Sequence, residues 1–312
     1  MKQINGLLLG MKTNRILPIL LSAILILSFI LLIVTPIAHT QAHTQTDTYQ
    51  IPKIIWQYWD KDPPLMILQM KEYNAKRLEG WDIRFLNATT IKNYIPEAAL
   101  PQTFSKMIPQ HQADWYRLYL LKNHGGCWMD ASIIINEKGS IDKIRNDSYA
   151  RKSELTAFQA KTPLNIENWF IMAPENSPVI ELWFNEYNGA VSNGMDEYKK
   201  FIIQEGVNWG LGRENSNPVE VTDTYFTQHY ALQRILQKNL HSNAPIYILE
   251  SKDTMHKFFY DCNKNEWSDK EKKACFAGKL KDHKGMRQLP YIKLSQHERK
   301  LNVDLTEYFA DK

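Results

Sequence analysis

Residues 113–135 read ADWYRLYLLKNHGGCWMDASIII, and the chemistry in this stretch sits in three side chains and one hydroxyl. Asp130 falls inside what reads as a buried strand over 127–135, where an unpaired charge is costly. In a strand, successive side chains alternate faces, so Trp128, Asp130, Ser132 and Ile134 share one side. Ligands of open α/β sheets collect beyond the carboxyl ends of the strands, and oxygens at i and i+2 there could hold a divalent cation. Such a cation would let a diphosphate sit beside a carboxylate. A plainer reading stands next to this one: an aspartate that ends a strand often bonds backbone amides in a turn. On the preceding helix Asp114 and Arg117 lie three residues apart and share a face. An exposed pair of that kind would do little, but the Gly125-Gly126 turn brings the helix back against the strand, so the polar groups can converge.

The elements that must position these groups follow from local pattern. IPKIIWQYW at 51–59 has the character of a first strand, closed by DKDPP, and a helix is predicted across 64–78 with a second strand at 81–87. Residues 111–123 form a helix stopped by the two glycines. FIMAP at 170–174 is a short strand, and Ser177-Pro178 opens a helix with a serine cap and proline in its first turn. Its apolar face, Ile180, Trp183, Phe184 and Tyr187, recurs at helical spacing and reads as core. A further helix at 224–240 and a late strand at 244–250 complete an alternating pattern, which predicts an α/β domain with a mainly parallel sheet flanked by helices.

The chain of 312 residues carries a formal net charge of +4 and has no basic block with a nucleic-acid reader's motif, so no nucleic-acid partner is expected. From Ile16 to Thr46 there is no Asp, Glu, Lys or Arg, and 16–38 is long and apolar enough to cross a bilayer as a helix. Lys2, Lys12 and Arg15 precede it and the first Lys or Arg after it is Lys53, which predicts a short cytoplasmic tail over 1–15 and a single-pass type II orientation. Thr40-Gln41-Ala42 leaves a cleaved signal peptide as the competing reading, although the apolar core exceeds the usual length. The polar stretch 39–50 reads as a stem, 51–300 as the folded domain and 301–312 as a C-terminal tail. Cys127, Cys262 and Cys275 make no disulfide framework, and the last two read equally as a pair or as free thiols. Asn87 and Asn146 begin glycosylation sequons of low specificity.

Four segments in order, IPKIIWQYW, ADWYRLYLLKNHGGCWMDASIII, ENWFIMAPENSPVIELW and PYIKLS, resemble the capsular polysaccharide synthesis family of glycosyltransferases, across about residues 51–296. That family is related to the sugar-binding-region transferases with a DXD motif and, more distantly, to the glucosylating clostridial toxins. The resemblance implies a GT-A fold, a UDP- or GDP-sugar donor and a glycan acceptor hydroxyl, with retention of configuration by analogy. Asp130 matches the first acid of the DXD motif, and Ser132 stands at the second. A neutral hydroxyl is a weaker ligand than a carboxylate for a hard cation such as Mn²⁺ or Mg²⁺. Asp114 and Arg117 match a D-x-x-R pair that contacts the donor's sugar and phosphates. Trp56 matches an aromatic that stacks on uracil, although tryptophan is as often core. Asn168 resembles a residue near the transferred sugar, though an asparagine before a strand is often a turn residue. Lys293 and Ser295 could reach the diphosphate from a closing C-terminal segment. A catalytically inactive sugar- or nucleotide-binding relative and a structural surface protein are the alternatives to an enzyme. With the domain outside the cytosol, a Golgi-like lumen supplies nucleotide sugar in a eukaryotic setting; in a bacterium the location would be the cell membrane.

Overall fold

In the computed structural model the chain divides after Thr48, and the structure describes residues 49–312 except 160–164, 208–222, 253, 263, 265, 282–284, 286, 296–298, 300–304 and 311–312. The expected span at 16–38 lies outside the described residues. Among those that are described, no helix is long and apolar enough to cross a membrane.

The apolar first strand forms as expected: β1 (Ile54–Tyr58) is followed by α1 (Leu65–Ala75) and β2 (Asp82–Leu86). Then come α2 (Pro109–His124), β3 (Gly126–Met129), β4 (Ile133–Ile135), α3 (Ser140–Ala150), β5 (Leu155–Gln159) and β6 (Ile166–Ala173). The chain continues through α4 (Pro178–Asn193), α5 (Met195–Gln204), α6 (Thr227–Gln237) and β7 (Ile246–Glu250). It ends with α7 (Lys257–Cys262), α8 (Asp269–Lys281), β8 (Tyr291–Lys293) and α9 (Thr306–Ala310).

Six strands form one sheet in the order β2-β1-β3-β6-β5-β7. β1 runs parallel to β2 and β3, and β5 parallel to β7, while β6 is antiparallel to both of its neighbours. The sheet is therefore parallel except for β6, which agrees with the α/β reading. Alternation along the strands divides the core. Trp56, Trp128, Ala157 and Ile171 face α2, α4 and α6, whereas Ile55, Cys127, Met129, Phe158 and Phe170 face α3 and the small β4–β8 sheet. The helix caps are as the sequence suggests. The Ser177 hydroxyl accepts from the Ile180 N–H at 3.3 Å and donates to the Glu154 carbonyl at 2.6 Å, so Ser177→Ala should lower unfolding stability by about 1 to 2 kcal/mol in a urea titration.

Gly125 and Gly126 stop α2 and admit β3 beside β1. Gly126 has φ +91°, and a Cβ there would lie 2.7 Å from the Ile54 carbonyl oxygen, so only glycine lets the strands approach this closely. The continuous strand expected over 127–135 is corrected. The Asp130 N–H bonds to the Trp169 carbonyl at 2.9 Å, its own carbonyl accepts from the Ile133 N–H at 3.1 Å, and the chain turns at 131–132. β4 then leaves the main sheet to pair with β8, with Ile133 opposite Lys293. The expected tail is also corrected, because Leu305 and Tyr308 are buried in a cluster with Met66, Ile67 and Met70 of α1. Tyr49 likewise belongs to the folded unit rather than to a stem, donating its hydroxyl to the Ser153 carbonyl. Cys262 and Cys275 are disulfide-bonded, joining α7 to α8, and Cys127 is a buried free thiol.

Candidate active site

A cleft of about 300 Å³ opens at the carboxyl ends of β1 and β3, lined among others by Tyr58, Trp59, Asp114, Arg117, Asp130 and Asn168. This is where ligands of open α/β sheets collect. Asp114 and Arg117 come from α2, one turn apart and both buried. Asp130 follows β3, Asn168 sits within β6, and Gln228 projects from the first turn of α6.

Arg117 ties these elements together. One terminal nitrogen, Nη1, donates to Asp114 Oδ1 at 2.5 Å and to Gln228 Oε1 at 2.8 Å; the other, Nη2, donates to Asp130 Oδ1 at 3.3 Å. The guanidinium also lies 4.9 Å from the Trp128 ring centre, and the Trp128 indole N–H donates to Asp130 Oδ1 at 3.0 Å. The Asn168 amide donates to Asp114 Oδ1 at 3.1 Å and to Gln228 Oε1 at 2.7 Å, while Gln228 Nε2 donates to the Asp114 backbone carbonyl at 2.8 Å. A planar guanidinium held by three acceptors on three elements is a fixed, oriented cation, the form suited to phosphate or carboxylate recognition.

The other oxygen of Asp130 faces a second cation. Lys293 Nζ lies 3.1 Å from Asp130 Oδ2 and donates to Ser132 Oγ at 2.6 Å. Burial acts to raise the Asp130 carboxyl, yet Lys293, Arg117 and the Trp128 N–H together hold it below the usual value. Burial lowers the Lys293 ammonium, and Asp130 opposes that effect. Burial lifts Asp114 to about 6 against the pull of Arg117. The divalent cation expected at Asp130 and Ser132 meets a donor set that does not fit it. Both of these groups already accept from Lys293, Ser132 is fully buried, and no group of three or more His, Cys, Asp or Glu is placed to hold a metal among the described residues.

Asp114, Arg117, Asp130 and Asn168 therefore converge as the sequence suggests, and Asn168 does so from inside a strand rather than from a turn before one. Lys293 converges too, as a buried partner of Asp130. Ser295 is partly buried and is not among the residues lining the cleft; its carbonyl accepts from the Arg299 N–H at 3.2 Å. The uracil-stacking expectation for Trp56 is corrected. Its side chain is fully buried, its indole N–H donates to the Gly125 carbonyl at 2.9 Å, and Arg84 and Tyr94 pack against the ring. No face is left for a base, and the aromatic groups lining the cleft are Tyr58, Trp59, Trp128 and Tyr225. Gln228 was missed because a glutamine in an amphipathic helix gives no signal of its own. Trp128 shares a strand face with Asp130, and that spacing could have identified it.

Glu167 lies behind the cleft, donated to by the Trp169 indole N–H at 2.9 Å, and burial lifts it to about 7 from 4.5. The folded state then holds its proton to higher pH than the unfolded chain. The stability linked to it is full below about 4.5 and is lost as pH rises through about 7, by on the order of 3 kcal/mol. Glu167→Gln should accordingly melt higher than the parent at pH 8 and alongside it at pH 4.5; equal melting at both pH values would remove the carboxylate from this account.

An O-glycosyltransferase braB from Annulohypoxylon truncatum is 24% identical over 150 residues, which are 42% of this chain and 36% of that protein, so the chain spans about a third of its length. Two solved structures are also similar, at low TM-scores. The PaToxG glycosyltransferase is 17% identical over 62% of this chain and 75% of its own, with TM-score 0.32. A glycosyltransferase involved in glycosylation of the major capsid of PBCV-1 is 10% identical over 82% of this chain and 98% of its own, with TM-score 0.37. The family model described as capsular polysaccharide synthesis protein matches residues 29–276, and the chain belongs to that family.

Proposed function

We propose that this protein is a glycosyltransferase that moves a sugar from a nucleotide-sugar donor to a glycan hydroxyl. The observation that carries this reading is the oriented Arg117 guanidinium, held between Asp114, Asp130 and Gln228 in a cleft at the carboxyl ends of the strands. The family match and the similarity to an O-glycosyltransferase support the same activity, and the sequence resemblance supports a GT-A-type arrangement with a UDP- or GDP-sugar donor.

In this reading, glycosyl transfer breaks the bond between the sugar's anomeric carbon and the diphosphate. Negative charge then grows on the leaving diphosphate, and fixed cations aimed at it lower the barrier. Arg117 and the cleft-lining Arg299 supply such cations. Asp114 and Asn168 stand where acceptors and donors for sugar hydroxyls are needed, and Tyr58, Trp59 and Tyr225 give an apolar wall for a sugar or a base. Retention of configuration is proposed by analogy with relatives of the family.

The reading extends to location. The apolar segment at 16–38 would anchor the chain, with the domain in a lumen that holds nucleotide sugar, and the Cys262–Cys275 disulfide is a bond that persists in such an oxidising compartment. The activity is tested by incubating the full-length protein with a panel of UDP- and GDP-sugars and following donor hydrolysis. Turnover of one donor, lost in Arg117→Ala, is the expected result; absence of turnover and of nucleotide binding across the panel would falsify the reading. Orientation is tested separately by protease protection of the 49–312 domain in sealed microsomes.

A further inference from the structure

We propose, resting on the transferase reading above, that the Lys293 ammonium stands in place of a divalent cation and that this protein binds its nucleoside diphosphate without one. A hard cation at Asp130 and Ser132 would need the Asp130 carboxylate and the Ser132 oxygen within about 2.0–2.6 Å. The ammonium already holds both, at 3.1 Å from Asp130 Oδ2 and 2.6 Å from Ser132 Oγ, so the two cations compete for one position.

Lys293 is delivered there by the backbone. β8 pairs with β4 so that Lys293 lies opposite Ile133; the Lys293 N–H bonds to the Met255 carbonyl at 2.9 Å, and the Leu294 N–H bonds to the Ser132 carbonyl at 2.9 Å. Its side chain is 8% exposed, unlike the solvated lysines elsewhere on the chain. Ser132 borders the cleft but is fully buried, and its hydroxyl is held by this ammonium.

Charge balance points the same way. Arg117 and Lys293 face Asp114 and Asp130, two cations against two carboxylates, so the charge of Asp130 is already compensated within the protein. Cations of the Mg²⁺ class are usually bound through one or two carboxylates together with substrate phosphates. Here the second carboxylate is replaced by Ser132, and the first is already shared between Arg117 and Lys293. The diphosphate would be met by side-chain cations, Arg117 and Arg299 at the cleft wall, with Lys293 held on Oδ2 of Asp130.

Calorimetric titration of the full-length protein with UDP and GDP, in EDTA and in excess Mn²⁺, tests the proposal, together with electron paramagnetic resonance of Mn²⁺ to count bound metal. The expected result is a nucleotide affinity equal within about threefold in the two buffers, and no stoichiometric Mn²⁺ uptake by the parent with or without nucleotide. Lys293→Ala should weaken nucleotide binding in EDTA by at least about tenfold, and Mn²⁺ should restore part of the loss by entering the vacated position. Binding that appears only with Mn²⁺, or one Mn²⁺ taken up per parent chain, overturns the proposal and leaves the transferase reading standing. No nucleotide binding in either buffer removes both. The parent titrations decide the matter even if Lys293→Ala fails to fold.

Discussion

Arg117→Lys should lower kcat/KM for donor turnover by about 10²- to 10³-fold while the protein stays folded. The guanidinium makes three hydrogen bonds in two directions, with Nη1 on Asp114 and Gln228 and Nη2 on Asp130, and its flat face lies over Trp128. A lysine ammonium is a compact point charge on a flexible stem. It can approach Asp114 or Asp130, but it cannot hold both while presenting a planar fork. The charge count of the buried cluster is unchanged, so the stability loss should be modest, and the larger loss should fall on turnover because orientation is what lysine cannot reproduce. Steady-state kinetics with the best donor, read beside a melting curve, separates the two. Turnover within threefold of the parent would make Arg117 a structural ion pair and move the phosphate contact elsewhere.

The parts of this site that could be read from sequence are those carried by short-range pattern. Asp114 and Arg117 share a helical face by spacing alone, and Gly125-Gly126 announces the return that places them against Asp130. The apolar face of α4 and its serine cap were equally legible, since capping and helical periodicity act within a few residues. What was not legible depends on pairings across the chain. Lys293 reaches Asp130 only because β8 pairs with β4, a contact spanning 161 residues to Ser132, and a three-residue strand leaves almost no pattern. The turn at 131–132 breaks what looks like one continuous apolar strand, because Ile133, Ile134 and Ile135 suit a second sheet as well as the first. Trp56 shows the converse case. Its position in an apolar strand allowed either a ligand-facing or a core side chain, and the packing of Arg84, Tyr94 and Gly125 around it decides for the core.

Asp130→Asn should abolish detectable donor turnover and also destabilise the domain by about 3 to 5 kcal/mol. By volume alone an intact fold is the expectation, because asparagine matches aspartate in size. The structure changes that expectation. Asp130 is the shared counter-charge of Lys293, whose side chain is 8% exposed, and of Arg117, whose side chain is 5% exposed. Asparagine would leave the ammonium with Ser132 and the Leu294 carbonyl, which are neutral, and with Glu167 as the nearest remaining acid. A buried cation deprived of its partner either remains at high cost or gives up its proton, and both penalise the folded state. The diagnostic measurement is a double-mutant cycle with Lys293→Met, which removes the stranded charge and keeps most of the apolar stem. In urea titrations Asp130→Asn should be the least stable variant, and the double variant should recover about 2 kcal/mol or more of the loss without recovering turnover. If the two losses simply add, Lys293 and Asp130 are not coupled and the ion pair does not hold this end of the sheet together. Recovery of stability without activity would separate the two duties of Asp130, one as the anchor that keeps Lys293 buried and the other as the carboxylate that orients Arg117 toward the cleft.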